Sequence, residues 1–214
     1  MRHATLCKTH RSIFAVPLLV LLCLSNLAAQ VEQLSRYELV ITGNEGEAFN
    51  VASLEEDGLL IYRKVIVPGE DNRLHLIKID TTLRESWQGY ISVARNLAVS
   101  HIRMKDKMIY ILLKAAGTIS GNFAVIAAHV SNGDYQVYNI VNLIPFNPVE
   151  FVVTDQGVML GGYFNYRPLV LFYGFNTQRA RVMPGFFNEP GELNQIKANA
   201  NGTVDVIVNS KNYE

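Results

Sequence analysis

The side chains able to do chemistry are few and scattered along the chain. Beyond residue 29 the histidines are His75, His101 and His129. Metal binding would need them, or Asp and Glu, to converge at fixed geometry. They fall at non-equivalent places in separate apolar runs, and no His-Glu-x-x-His motif accompanies them, so they read as structural. Glu55-Glu56-Asp57 and Glu70-Asp71 are adjacent carboxylates, but both clusters sit in turn-forming stretches where solvated acids are usual. A glycosidase-like site would need two carboxylates held roughly 5 to 10 Å apart. Glu47, Glu70, Asp71 and Glu150, all expected near one end of the fold, are the candidates for it. Gly117-Thr-Ile-Ser-Gly121 is not a nucleophile elbow, because its serine abuts the second glycine. Gly161-Gly162 lies inside an expected strand and suits close packing better than a phosphate cradle. Asn201-Gly-Thr203 matches a glycosylation sequon, yet Asn-Gly is also a preferred hairpin turn. The expectation is no catalytic residue, no metal and no cofactor.

Binding is better supported than catalysis. Arg95, Asn96, Asn122, Asn147, Tyr166 and Arg167, with Phe146, fall in short connections at 95–96, 117–122, 145–148 and 165–168. Guanidinium, amide and aromatic groups at one loop face suit a carbohydrate or a protein ligand. Trp87, the only tryptophan, begins an expected strand and reads as rim packing.

What must position these residues is a repeat. At intervals near 50 residues an alternating apolar stretch, a tight polar turn and a second apolar stretch recur. The copies are Phe49-Asn-Val-Ala-Ser-Leu-Glu-Glu-Asp-Gly-Leu-Leu-Ile-Tyr62, then Leu97 to Tyr110, Val149 to Gly162, and Leu193 to Val206. A short leading strand at 37–42 precedes them. The first copy opens a run of four expected strands at 48–55, 59–66, 73–80 and 88–94. The second gives 97–104, 108–114, 123–130 and 135–141, and the third 149–154, 158–164, 168–175 and 180–186. The fourth stops after two strands, with a turn at Asn201-Gly202. Runs such as Met108 to Leu113 and Phe123 to Ala128 are apolar on both faces, as expected of sheets sandwiched between neighbours. The fold class expected is mainly β.

The turns Leu54-Glu-Glu-Asp-Gly58 and Val153-Thr-Asp-Gln-Gly157 make the repeat, over residues 47 to 210, resemble β-propeller repeats of the WD-like kind. The Trp-Asp dipeptide and Gly-His signature of that kind are missing, so no narrower family is indicated. The resemblance implies about three and a half four-stranded blades, with repeats near 47–96, 97–147, 148–191 and an incomplete 192–214. An incomplete ring, or a fragment of a longer propeller, is one consequence of that count.

The first 29 residues read as a secretory signal. Arg2, Lys8 and Arg11 form a basic start, Ile13 to Leu24 is an apolar run of 12 residues, and Ala28-Ala29 offers a cleavage site. The run is short for a membrane span, which needs roughly 17 to 25 residues, so no stable span is expected after cleavage. Both cysteines, Cys7 and Cys23, lie in this segment. The remainder, residues 30–214 as a single domain, would have no thiol, which leans toward a bacterial exported protein, periplasmic or extracellular. Removing three basic residues takes the balance from 19 against 19 to 16 against 19, a net −3 that gives no reason to expect nucleic acid. The function expected is an exported binding or scaffold protein of unknown ligand. The alternative is an exported propeller enzyme, a glycosidase or lyase, acting through loop-face carboxylates.

Overall fold

The chain divides into two compact units, Met1–Glu38 and Leu39–Glu214. The computed structural model describes residues 35–39, 47–116, 119–185 and 190–210. The expected signal and both cysteines lie outside the described residues. Of the first unit, residues 35–38 are irregular, with an ion pair between Arg36 and Glu38. The leading strand expected at 37–42 is not formed at residues 37–39, and its remaining residues lie outside those described.

In the second unit the described residues are mostly β-strand, paired antiparallel throughout. The mainly-β class therefore stands. Four strands form the first meander: β1 (Asn50–Ser53), β2 (Leu59–Val65), β3 (Asn72–Ile79) and β4 (Glu85–Val93), hydrogen-bonded in chain order. A second meander follows as β5 (Leu97–Lys105), β6 (Met108–Ala115), β7 (Ser120–His129) and the first part of β8 (Tyr135–Val153). The rest of β8 opens a third with β9 (Gly157–Phe164), β10 (Arg167–Gly174) and β11 (Arg179–Val182). A separate hairpin, β12 (Gly191–Ala198) with β13 (Val204–Ser210), ends the described chain. Among the described residues no helix is long and apolar enough to cross a membrane.

The turns explain the registers. Asp106 and Lys107 both take positive φ, 50° and 60°, and join β5 to β6 as a two-residue hairpin whose twist matches the flanking strands. Asn165 and Tyr166 do the same between β9 and β10, at 48° and 63°. Asn201-Gly202 lies in the turn between β12 and β13, as its turn reading requires.

One connection differs from expectation. Residues 145–148 are not a loop but part of β8, which runs 19 residues without a break. Its first half pairs with β7 over Tyr135–Val141 and, across a register shift, again at Phe146, and from Asn147 onward it pairs with β9. The prolines that suggested a break, Pro145 and Pro148, sit where the strand changes partner, and a bulge lies between Pro148 and Glu150.

Three apolar layers hold the sheets face to face. The first joins Leu60, Leu74, Leu76 and Ile91 of the first meander to Ile109, Ile111, Ala124 and Ile126 of the second. The next joins Leu112, Phe123, Val125 and Ile140 to Phe151, Leu160, Leu169 and Leu171 of the third. Alternate residues of β6 and β7 serve the two layers, as strand geometry requires of a sheet buried on both faces. In the last layer Leu193 and Ile196 of β12 press on Met159 and Val170. Gly161 permits that approach, since a Cβ there would lie 2.5 Å from Ile196 Cδ1.

Polar stitches reinforce the layers. The Trp87 indole N–H donates to the Val130 carbonyl at 2.7 Å, crossing from the first meander to the second. Lys107 reaches Asp57 at 2.9 Å and Lys105 reaches Asp155 at 2.7 Å, so the hairpin between β5 and β6 is tied to the corresponding turn on either side.

Candidate functional site

In a meander the connection between second and third strands and the exit from the fourth fall at the same end of the sheet. The β2–β3, β6–β7 and β9–β10 connections and the β4–β5 link therefore share the end expected to bear ligand-binding residues. Arg95 and Asn96 are anchored there. Arg95 Nε donates to the Glu70 carbonyl at 2.6 Å, and the buried Asn72 amide donates to the Arg95 carbonyl at 3.2 Å. The Ala116 N–H donates to the Asn96 carbonyl, also at 3.2 Å.

The other expected residues are placed differently. Asn122 is not in a connection but within β7, opposite Val141. Asn147 is likewise in a strand, where its Oδ1 accepts from Lys114 Nζ at 2.5 Å. Phe146 beside it is fully buried and belongs to the core rather than to a loop face. Tyr166, 86% exposed, and Arg167 stand at the β9–β10 turn. Hydrogen bonds bring Asn147 to Lys114, and Arg95 and Asn96 to their neighbouring connections. Within the described residues they do not draw Tyr166 and Arg167 into that group.

A cleft opens between the first two meanders, with a cavity volume of about 240 Å³. It is lined by Glu47, Asn50, Tyr62 and Lys64 above Leu74, Val93 and Leu113. Leu60, Tyr62 and Lys64 alternate on one face of β2, which buries the leucine and turns phenol and ammonium toward the cleft. Lys64 Nζ lies 2.7 Å from Glu47 Oε1, and only 16% of its side chain is exposed. Burial raises the Tyr62 pKa, so the phenol stays protonated and able to donate. Ammonium, carboxylate and phenol over an apolar floor can hydrogen-bond hydroxyl or amide groups of a small polar ligand while its apolar face rests on the leucines. The expected residues did not include Tyr62 and Lys64. The alternation of β2 was their available signal.

The carboxylates considered for acid–base chemistry are already engaged in part: Glu47 with Lys64, and Glu70 at 3.7 Å from Arg73. Among the described residues no three His, Cys, Asp or Glu side chains come together as a metal site. His75 is buried against Tyr90, ring centroids 4.3 Å apart, with Nε2 3.2 Å from Gln88 Oε1. His129 accepts from the Ser131 hydroxyl at 2.9 Å through Nδ1. His101 Nε2 must donate to the Val149 carbonyl at 3.2 Å, which leaves Nδ1 to accept from the Ser100 hydroxyl at 2.8 Å. Burial, with Arg103 nearby, lowers the His101 pKa and favours this neutral form. A register shift between Val99 and His101 accompanies the pairing of these consecutive residues.

No protein-family model matches the chain. No curated protein matches it. Among solved structures it is similar to a mutant of Synechocystis apocarotenoid oxygenase, at 7% identity and a TM-score of 0.42. That match covers 67% of this chain and 40% of the other.

Proposed function

We propose that the chain is an exported binding or scaffold protein of β-propeller-like architecture, and that its ligand is a carbohydrate or peptide held at the loop end. The repeat of meanders near every 50 residues, each pressed face to face on the next, supports the propeller-like reading, with β12–β13 as an incomplete blade. A place within a longer propeller fits the same repeat. The basic-then-apolar start of the sequence supports export, to a periplasmic or extracellular destination.

One observation carries the binding reading: the Lys64–Glu47 pair with Tyr62 over an apolar floor. Titration calorimetry against oligosaccharides and short peptides tests it. A saturable ligand should bind wild type, and Lys64→Ala should weaken it roughly tenfold, the worth of one charge-assisted hydrogen bond. Binding indifferent to both Lys64→Ala and Tyr62→Phe would sink the site. Turnover of a sugar substrate that disappears with Glu70→Gln would replace binding by catalysis.

A further inference from the structure

One corner of the third meander gathers positive charge beside an aromatic ring. Arg179 and Arg181 of β11 lie opposite Gly174 and Phe172 of β10, so both arginines share the Phe172 face of the sheet. Two residues along a strand span about 7 Å, which sets the spacing of the pair. A Cβ at Gly174 would stand 2.7 Å from Thr177 Oγ1 and 3.5 Å from Phe172 Cε1, so the glycine keeps the floor open beside the ring. The result is a cavity of about 360 Å³, lined also by Gln156 and, from the β10–β11 turn, by Asn176 and Thr177. Main-chain bonds fix these walls. The Phe175 N–H donates to the Gln156 carbonyl at 3.0 Å, and the Gln178 N–H to the Gly174 carbonyl at 2.8 Å. Among the described residues no carboxylate lines the cavity, and neither arginine is held in an ion pair. Asp155 lines the adjoining groove, but Lys105 engages it at 2.7 Å.

We propose that this cavity binds an acidic oligosaccharide, its sugar rings carrying carboxylates. A guanidinium presents a planar fork that matches a carboxylate bidentately, and two forks about 7 Å apart take two such groups. The Gln156 and Asn176 amides and the Thr177 hydroxyl both donate and accept, which suits the hydroxyls of a sugar. Phe172 offers a ring on which the C–H face of a pyranose can rest. The volume falls in the range of small-ligand sites, roughly 300–1,000 Å³.

Other anions use the site less completely. Inorganic phosphate or sulfate would engage the arginines and leave Phe172 and the amides idle. In an acidic peptide the carboxylates and the apolar groups sit on separate side chains, which calls for a longer surface than this cavity. A uronate carries carboxylate, hydroxyls and apolar face on one ring. The β8–β9 and β10–β11 turns lie at the opposite end of the sheet from the β9–β10 connection. The site is therefore separate from the loop-end cleft and does not rest on it.

The test uses the full chain and a panel of oligouronates built from galacturonate, mannuronate or glucuronate, with their methyl esters, poly-glutamate and sulfate for comparison. Calorimetry should show saturable binding of at least one oligouronate, weakened by added salt and lost on esterification. Arg179→Ala and Arg181→Ala should each raise its Kd roughly tenfold or more, and Arg181→Lys should recover part of that loss. Arg84→Ala, which removes an exposed arginine from the β3–β4 turn, should leave the Kd unchanged. The proposal falls if the whole panel fails to bind protein that circular dichroism shows to be folded. It falls equally if the methyl ester or poly-glutamate binds as tightly as the oligouronate. Oligouronate binding that ignores both arginine substitutions but weakens with Lys64→Ala would place the ligand in the loop-end cleft, supporting that reading and overturning this one.

Discussion

The layer between the first two meanders and the layer beneath the hairpin are the same kind of contact at two stages of completion. In the first, the two meanders contribute a dozen buried side chains, with Leu54 and Val130 supplied by the turns that follow β1 and β7. In the second, the buried set is Met159, Val170, Leu193 and Ile196, and the surrounding valines are only partly covered. Stability in such stacked sheets comes from each sheet's contact with its neighbour, so the two layers should fail separately and in order.

Phe151→Ala, on the long strand β8 and in the fully built layer between the second and third meanders, should cost about 3–5 kcal/mol and lower the urea midpoint of the whole domain. Gly161→Val strikes the weaker layer, where its side chain would meet Ile196 and Leu193. About 1–3 kcal/mol is expected, with exchange protection lost over residues 191–210 and retained in β2, β6 and β9. Protection lost equally everywhere would mean that the layers do not differ. Trp87→Phe removes the hydrogen bond to Val130 and should cost about 1 kcal/mol in denaturant unfolding. Breaking the Lys105–Asp155 pair should change stability by less than about 1 kcal/mol, and a double-mutant cycle should show the coupling vanish in high salt.

The smallest effect concerns pH. His101 has a folded pKa below its ordinary value, so the unfolded chain takes up a proton first as pH falls. The stability tied to its neutral form is complete above the ordinary histidine pKa and is lost as pH drops toward the lowered folded value. His101→Gln should flatten the stability profile in that window.

The strands around tight turns were legible because their turns carry distinctive residues: Asp57-Gly58, Asn201-Gly202, and the polar pair Asp106-Lys107. The continuity of β8 was hidden because Pro145 and Pro148 read as breaks. A strand that trades one partner for another can host residues that a doubly paired strand cannot. Reading the prolines as breaks also put Asn147 and Phe146 in a loop, whereas Asn147 lies in the strand and Phe146 in the core. Arg95 and Asn96 lie in a connection, as expected, but the anchoring of Arg95 by Asn72 and Glu70 and of Asn96 by Ala116 depends on contacts across 20 to 25 residues that composition does not reveal. Tyr62 and Lys64 were visible only as alternation within an apolar run. Their shared face became informative once Glu47 was seen opposite.

The unbroken β8 has a mechanical consequence. Sheets joined by a short link can be parted by cutting the link, but the second and third meanders share the 19 residues of β8, and each draws one of its paired strands from it. The first meander, joined through Ala94–Asn96, has no such spar. A chain cut and re-ended between Arg95 and Asn96 should still assemble, whereas a cut at Phe146 would divide a beam that two sheets need whole.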